Sequence, residues 1–202
     1  MRYFGKTGMK IKRVGFGGIP IQRISQEDTN KVIDELEKCG VNFIDTARGY
    51  TVSEEYLGNA LKGRREKFYI ATKSMSRDYE SMKRDIEISL KNLQTDYIDL
   101  YQMHNVKPAE YDTLFGEDKA YRALLEAKEQ GKIKHIGITS HGLETVEKAV
   151  ESDKFETIQF PYNIVENQAD EVFKRAYEKG VGTIVMKPLA GGAIDDGTLA
   201  MK

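Results

Sequence analysis

The sequence predicts an α/β fold, a (β/α)8 barrel of the TIM type of which seven β/α units are present. Three observations carry this prediction. Short runs of β-branched and apolar residues alternate along the chain with segments of helical spacing. Several runs are almost continuously apolar, which indicates strands covered on both faces, as in a parallel sheet lined by helices. The turn 15–19 lacks the G-x-G-x-x-G pattern of an open dinucleotide-binding sheet, so the barrel is favoured.

The strands follow a short leading segment. Residues 4–12, with two glycines and alternating polarity, predict a small hairpin. The seven candidate strands are Val14 to Gly17, Val41 to Thr46, Phe68 to Thr72, Tyr97 to Met103, His135 to Ile138, Thr157 to Phe160 and Thr183 to Met186.

The helices are predicted from their ends and their apolar stripes. Ser25 is a candidate N-cap with acidic residues in the first turn, and the apolar stripe that follows stops before Gly40. Gly131 and Gly180 are further stop signals. One further helix is predicted to begin at Ser53. The others are predicted to cover about Tyr79 to Leu93, Asp118 to Gln130, Leu143 to Glu151 and Ala169 to Lys179.

The length of the chain is short for a complete barrel. A typical (β/α)8 barrel needs roughly 250 residues, whereas this chain has 202 and ends soon after the seventh strand. No linker or low-complexity tract divides it. We therefore expect one barrel domain over residues 1–202 that lacks the eighth strand and the segment after it.

The composition of the chain limits the kinds of partner that it is expected to bind. Thirty-one basic residues balance 32 acidic ones for a net charge of -1, so no basic field favours nucleic acid. Cys39, the single cysteine, forms no internal disulfide, and no metal-binding cysteine cluster is present. The N-terminal residues contain no apolar run long enough for a signal peptide or membrane span. These observations predict a cytoplasmic protein, without a metal, that binds neither membrane nor nucleic acid; no feature indicates an oligomeric state.

Polar residues follow three of the predicted strands. Asp45 ends the second strand and Tyr50 lies in the loop after it, while Lys73 ends the third strand and His104 the fourth. Each alone has a structural explanation, such as a turn cap or a packed core residue. Because active sites of parallel barrels are built at the C-terminal ends of the strands, we expect all four side chains to meet in one mouth.

Together the four residues suit carbonyl reduction. The reaction needs a hydride for the carbon and a proton for the nascent alkoxide, and a phenol of pKa near 10 is a weak acid. We expect the Lys73 ammonium to lower the pKa of Tyr50, Asp45 to hold that ammonium, and His104 to donate a hydrogen bond to the substrate carbonyl.

The same residues, in the same order and context, resemble the catalytic tetrad of the aldo-keto reductase family. The similarity runs from the leading hairpin to the segment 185–192, and includes Ser53-Glu54 and Leu57-Gly58. The segment 18–23 and the strand-seven segment also resemble a microbial branch of the family whose longer members often carry a ferredoxin-like cysteine cluster. The resemblance implies a (β/α)8 barrel that binds NADP(H), with NAD(H) as the alternative, and that reduces a small carbonyl substrate with Tyr50 as general acid.

The resemblance also implies cofactor positions. Thr139, Ser140 and Gln159 match residues that hold the nicotinamide carboxamide, and the loop 188–192 would run along the pyrophosphate. Met186 stands where the family often has an aromatic ring, so altered packing is expected there. The full set is Gly18, Asp45, Thr139, Ser140, Gln159, Met186, Lys187, Pro188, Leu189, Gly191 and Gly192.

Two other functions fit parts of the pattern. In a Schiff-base aldolase Lys73 would be the nucleophile and Asp45 would assist proton transfer, which leaves Tyr50 unexplained. A non-catalytic nucleotide-binding protein, or an incomplete reductase fold, would fit the expected lack of the eighth strand but not the intact tetrad.

Overall fold

The structure, a computed structural model, describes residues 1–194. Over these residues, nine strands and six α-helices follow one another in the predicted order, together with several short 3-10 turns. The strands are β1 Arg2–Tyr3, β2 Lys10–Ile11, β3 Phe16–Gly17, β4 Phe43–Asp45, β5 Tyr69–Ser74, β6 Ile98–Met103, β7 Ile133–Thr139, β8 Thr157–Pro161 and β9 Gly182–Met186. The helices are α1 Gln26–Lys38, α2 Ser53–Ala60, α3 Tyr79–Leu93, α4 Ala120–Glu129, α5 Leu143–Glu151 and α6 Asp170–Glu178.

The large sheet has the topology of a barrel. Strands β3 to β9 are all parallel, and each pairs with the next one in the chain, from β3 with β4 to β8 with β9. A doubly wound sheet would reverse its strand order at one point, and this sheet does not. The seven strands instead curl with the helices outside, which confirms the predicted barrel-type α/β fold; within residues 1–194 the first six of these strands are each followed by an α-helix.

Most element ends agree with the sequence. Ser25 caps α1, since its hydroxyl accepts a hydrogen bond from the Asp28 N–H at 3.0 Å. The start of α4 is two residues later than predicted. Lys119 is in extended conformation and forms a β-bridge with Asp78, so the helix begins at Ala120.

The leading hairpin closes one end of the sheet. Strands β1 and β2 pair antiparallel, with β1 lying before the predicted start of the hairpin. Phe4 between them is buried with Phe43, Ala71 and Leu100 in a small cluster separate from the main core. Gly182 permits this closure, because a Cβ there would lie 2.8 Å from the Phe4 ring. The hairpin leaves the opposite end of the sheet, at the C-terminal ends of the strands, available for a functional site.

The main core lies between the sheet and its helices. Its members are apolar side chains from the outward faces of the strands and the inward faces of α1 to α6, among them Ile33, Leu57, Ile86, Leu124 and Val146. The parallel registers bring the ends of neighbouring strands level, as in the pairs Lys73 with Gln102 and Thr139 with Gln159. Within residues 1–194 no helix has both the length and the apolar character needed to cross a membrane.

Candidate active site

An ion pair joins the ends of β4 and β5. The Lys73 ammonium donates to Asp45 Oδ2 at 2.6 Å and to the Thr46 carbonyl at 2.7 Å. The Lys73 side chain is 3% exposed and that of Asp45 14%. Such burial is tolerated because the charges are paired and hydrogen-bonded. Asp45 therefore holds the lysine in one position, as the sequence predicted.

Tyr50 lies above this pair in the β4–α2 loop. Its N–H donates to the Ala47 carbonyl at 3.0 Å, and its carbonyl accepts from the Ser53 N–H at 2.8 Å. The Lys73 nitrogen is 5.0 Å from the centre of the Tyr50 ring. The His104 ring packs edge-on against the same ring, with centroids 6.0 Å apart at an angle of 84°. The structure thus brings all four predicted residues together.

The imidazole of His104 is neutral at physiological pH. Burial, assisted by the positive charges of Lys73 and Arg77, lowers the pKa of His104 to about 4. Its Nδ1 is buried and has no hydrogen-bond partner within residues 1–194.

The phenol of Tyr50 is a weaker acid than expected. Burial, and secondarily the negative charge of Asp45, raises the pKa of Tyr50 to about 12. The prediction that Lys73 lowers this pKa is therefore wrong. The physical reason is the ion pair, since the charge of Asp45 offsets that of Lys73 and leaves desolvation as the larger effect. Tyr50 consequently retains its proton at neutral pH.

Gln102 belongs to the site although the sequence analysis did not select it. Its Nε2 donates to Asp45 Oδ1 at 3.1 Å and to Gln159 Oε1 at 3.3 Å, and Gln159 Nε2 lies 3.4 Å from Asp45 Oδ2. The period of two along β6 is the signal that could have found it, because Leu100, Gln102 and His104 share one face. Asp45 thus accepts from two amides as well as from Lys73.

The predicted carboxamide-binding hydroxyls already have partners. Thr139 Oγ1 accepts from the Asn105 N–H at 2.7 Å, and Ser140 Oγ donates to the Val106 carbonyl at 2.6 Å. Ser140 is fully buried. Both residues hold the loop after β6 against β7, so each has a structural role at the end of its strand. Gln159 is the member of this predicted group whose side chain joins the tetrad.

Gly18 fills a tight place behind Asp45. Its N–H donates to the Asp45 carbonyl at 2.7 Å. A Cβ at this position would lie 2.9 Å from Ser53 Oγ and 3.2 Å from the Asp45 carbonyl oxygen. Gly18 therefore packs the start of α2 against β4.

The segment after β9 is an exposed turn. Met186 ends β9 opposite Pro161, and Pro188, Leu189, Gly191 and Gly192 are exposed. Lys187, Ala190 and both glycines have positive φ. The N–H groups of Ala190 and Gly192 donate back to the carbonyls of Lys187 and Leu189 at 2.9 and 2.8 Å. The loop is tightly wound, at the same end of the sheet as the tetrad.

Candidate metal ligands are not grouped anywhere in the part of the chain that the structure describes. Over residues 1–194 no cluster of three or more His, Cys, Asp or Glu side chains could hold a metal ion.

Comparison with known proteins identifies the family. The model of the "Aldo/keto reductase family" matches residues 13–201. The chain belongs to this family. It is 29% identical to L-galactose dehydrogenase of Arabidopsis thaliana over 216 residues, a match that covers 97% of this chain and 67% of that protein. The family assignment and such relatives support an oxidoreductase of the carbonyl reductase type.

Solved structures of this family have the same fold. A putative aldo-keto reductase from Pseudomonas aeruginosa superposes with a TM-score of 0.85 at 28% identity, covering 96% of this chain and 79% of that one. The holo form of an aldo-keto reductase from Bacillus halodurans also superposes with a TM-score of 0.85, at 29% identity. That match covers 95% of this chain and 67% of the Bacillus halodurans chain. The aldo-keto reductase chain described here thus spans about two thirds of the length of two of these relatives.

Proposed function

We propose that this aldo-keto reductase reduces an aldehyde or ketone to an alcohol with NADP(H), or alternatively NAD(H), and that Tyr50 is the general acid. One observation carries the proposal: Asp45, Lys73, Tyr50 and His104 form an unbroken series of contacts at the C-terminal end of the sheet. The balanced charge and single cysteine support a small-molecule substrate and a cytoplasmic location.

The residues present suit a nicotinamide nucleotide. His104 Nδ1 is a buried polar atom without a partner within residues 1–194, and the Gln159 amide, which bonds Gln102 and Asp45, lies at the same end of the sheet. Gln159 and Met186 would hold the nicotinamide end, and the turn from Lys187 to Gly192 the phosphates. The bound nucleotide would supply the hydride.

The protein's part is to provide a proton and to stabilise charge. Because the pKa of Tyr50 is about 12, its phenol is fully protonated at neutral pH and serves as donor to the nascent alkoxide. The Lys73 ammonium, 5.0 Å from the centre of the Tyr50 ring, compensates the negative charge of Asp45, so that the phenolate left after transfer does not face an unpaired carboxylate. The neutral imidazole of His104 orients the carbonyl oxygen through its N–H.

The aldolase alternative is less favoured by the geometry. A Schiff base needs a free amine, whereas the Lys73 nitrogen is directed to the Asp45 carboxylate and the Thr46 carbonyl. Borohydride trapping of a carbonyl compound on Lys73 would support the aldolase.

The test compares the protein with its Tyr50→Phe variant, which removes one oxygen and leaves the ring contacts. We expect NADPH or NADH oxidation that depends on an added carbonyl, and a fall in kcat of roughly 100-fold or more in the variant. Equal turnover by both proteins would refute the role of Tyr50. Nucleotide binding without turnover on a broad carbonyl panel would instead favour a binding protein.

A further inference from the structure

Two carboxylates lie between the sheet and the helices next to the candidate site. Glu54 of α2 is 1% exposed and Asp85 of α3 is partly buried. Glu54 Oε1 accepts from the hydroxyls of Thr72 and Ser89, each at 2.7 Å. Asp85 accepts from the hydroxyls of Ser74 and Ser76. Apolar contacts usually fill this layer, so a buried acidic pair requires a partner.

Strand β5 connects these carboxylates to the site. Successive side chains of a strand point to opposite faces. Thr72 and Ser74 face outward and bond Glu54 and Asp85, while Lys73 between them faces inward and bonds Asp45. The outer carboxylates therefore fix the strand that carries the lysine.

Arg48 is the cation that faces both carboxylates. Its Nη1 donates to Glu54 Oε2 at 2.7 Å, and its Nε lies 3.8 Å from Asp85 Oδ1. The backbone N–H of Arg48 donates to the Lys73 carbonyl at 3.0 Å. Arg48 lies two residues before Tyr50 in a short loop. Thr51, which follows Tyr50, has a φ of 38°, a conformation that only surrounding contacts maintain.

We propose that Arg48 is a positioning residue, which ties the loop of Tyr50 to the strand of Lys73 through Glu54 and Asp85. The proposal rests on the proposed function, in which the acid and the lysine must lie at a fixed separation. Arg48 itself acts from outside the barrel, through the loop and the strand. Because a displacement of about 1 Å can cost on the order of 100-fold in rate, loss of this tie reduces kcat more than KM.

The test uses three variants. Arg48→Met removes the charge and keeps most of the side chain, and Arg48→Lys restores a charge that reaches a single carboxylate. Arg65→Met is the matched control: Arg65 forms a similarly buried pair with Asp99 at 2.7 Å, but at the other end of β5, next to the Phe68 carbonyl. Thermal unfolding, steady-state kinetics and amide hydrogen exchange of residues 46–53 are measured for each.

We expect Arg48→Met to lower kcat by about 10- to 100-fold, with a smaller change in KM and faster exchange in residues 46–53. Arg48→Lys should recover part of kcat. Arg65→Met should lose comparable stability but keep kcat and the slow exchange.

Unchanged exchange and kcat in Arg48→Met, or equal losses in Arg65→Met, would overturn the proposal. If the parent protein has no carbonyl-dependent activity, the proposed function has failed, and the exchange comparison still decides whether Arg48 holds the loop. If Arg48→Met does not fold, Arg48→Lys provides the comparison, with an intermediate kcat expected and a kcat equal to the parent's contradicting the tie.

Discussion

Replacing Lys73 by methionine tests the buried ion pair. The change removes an ammonium 2.6 Å from Asp45 in a place where the lysine side chain is 3% exposed. Removing one member of a buried pair costs about 3 to 5 kcal/mol, because the other charge stays desolvated. Asp45 keeps the amides of Gln102 and Gln159 as donors, so we expect the lower end, about 3 kcal/mol.

Urea unfolding followed by circular dichroism measures this loss. For a chain of this size about 3 kcal/mol corresponds to a fall in Tm of roughly 6 to 12 °C. The double variant Lys73→Met with Asp45→Asn should recover much of it, since no unpaired charge remains.

Lys132→Met is the matched control. Lys132 and Glu87 lie 2.6 Å apart, the same separation, but their side chains are 35% and 52% exposed. Exposed pairs contribute about 0 to 1 kcal/mol. A loss below about 1 kcal/mol in Lys73→Met, or equal losses in both variants, would refute the account of the buried pair.

Two further predictions concern stability. The pKa of His104 is about 4 in the folded protein, below the ordinary histidine value of 6.5. The contribution of neutral His104 to stability is therefore complete above pH 6.5 and is lost as the pH falls toward 4. His104→Gln should flatten the decline of stability over that interval in acid titrations, and an unaltered curve would contradict this. Gly58→Ala should destabilise the folded protein by about 1 to 3 kcal/mol, since the added Cβ would lie 2.2 Å from the Asn92 carbonyl oxygen. Gly17→Ala, whose Cβ would have nothing within 4 Å, should change the stability little. Equal thermal shifts in the two variants would refute the packing argument.

The periodicities of the sequence predicted the fold because local and long-range signals agree. Continuous apolar runs such as 68–71 mark strands buried on both faces, and they alternate with capped amphipathic segments. The same strand list placed Asp45, Lys73 and His104 at one end of the sheet. The exact start of α4 was missed because it depends on the bridge between Asp78 and Lys119, which are distant in sequence.

The electrostatics of the site could not be read from the chain. The acidity of Tyr50 depends on how deeply the loop is buried and on whether Asp45 or Tyr50 is nearer the lysine, and both are properties of the packed structure. Gln102 was hidden for a related reason, since an amide within a strand looks unremarkable until its face of the barrel is known.

Transfer of deuterium from the nicotinamide is the most direct test of the central claim. The protein is incubated with a carbonyl substrate and with NADPH deuterated at C4 on one face, then on the other, and the product is analysed by mass spectrometry. We predict that one of the two nucleotides delivers its deuterium to the carbinol carbon, and that Tyr50→Phe strongly slows this transfer. An alcohol without deuterium from either nucleotide, or no alcohol from any carbonyl despite nucleotide binding, would contradict the assignment as a carbonyl reductase.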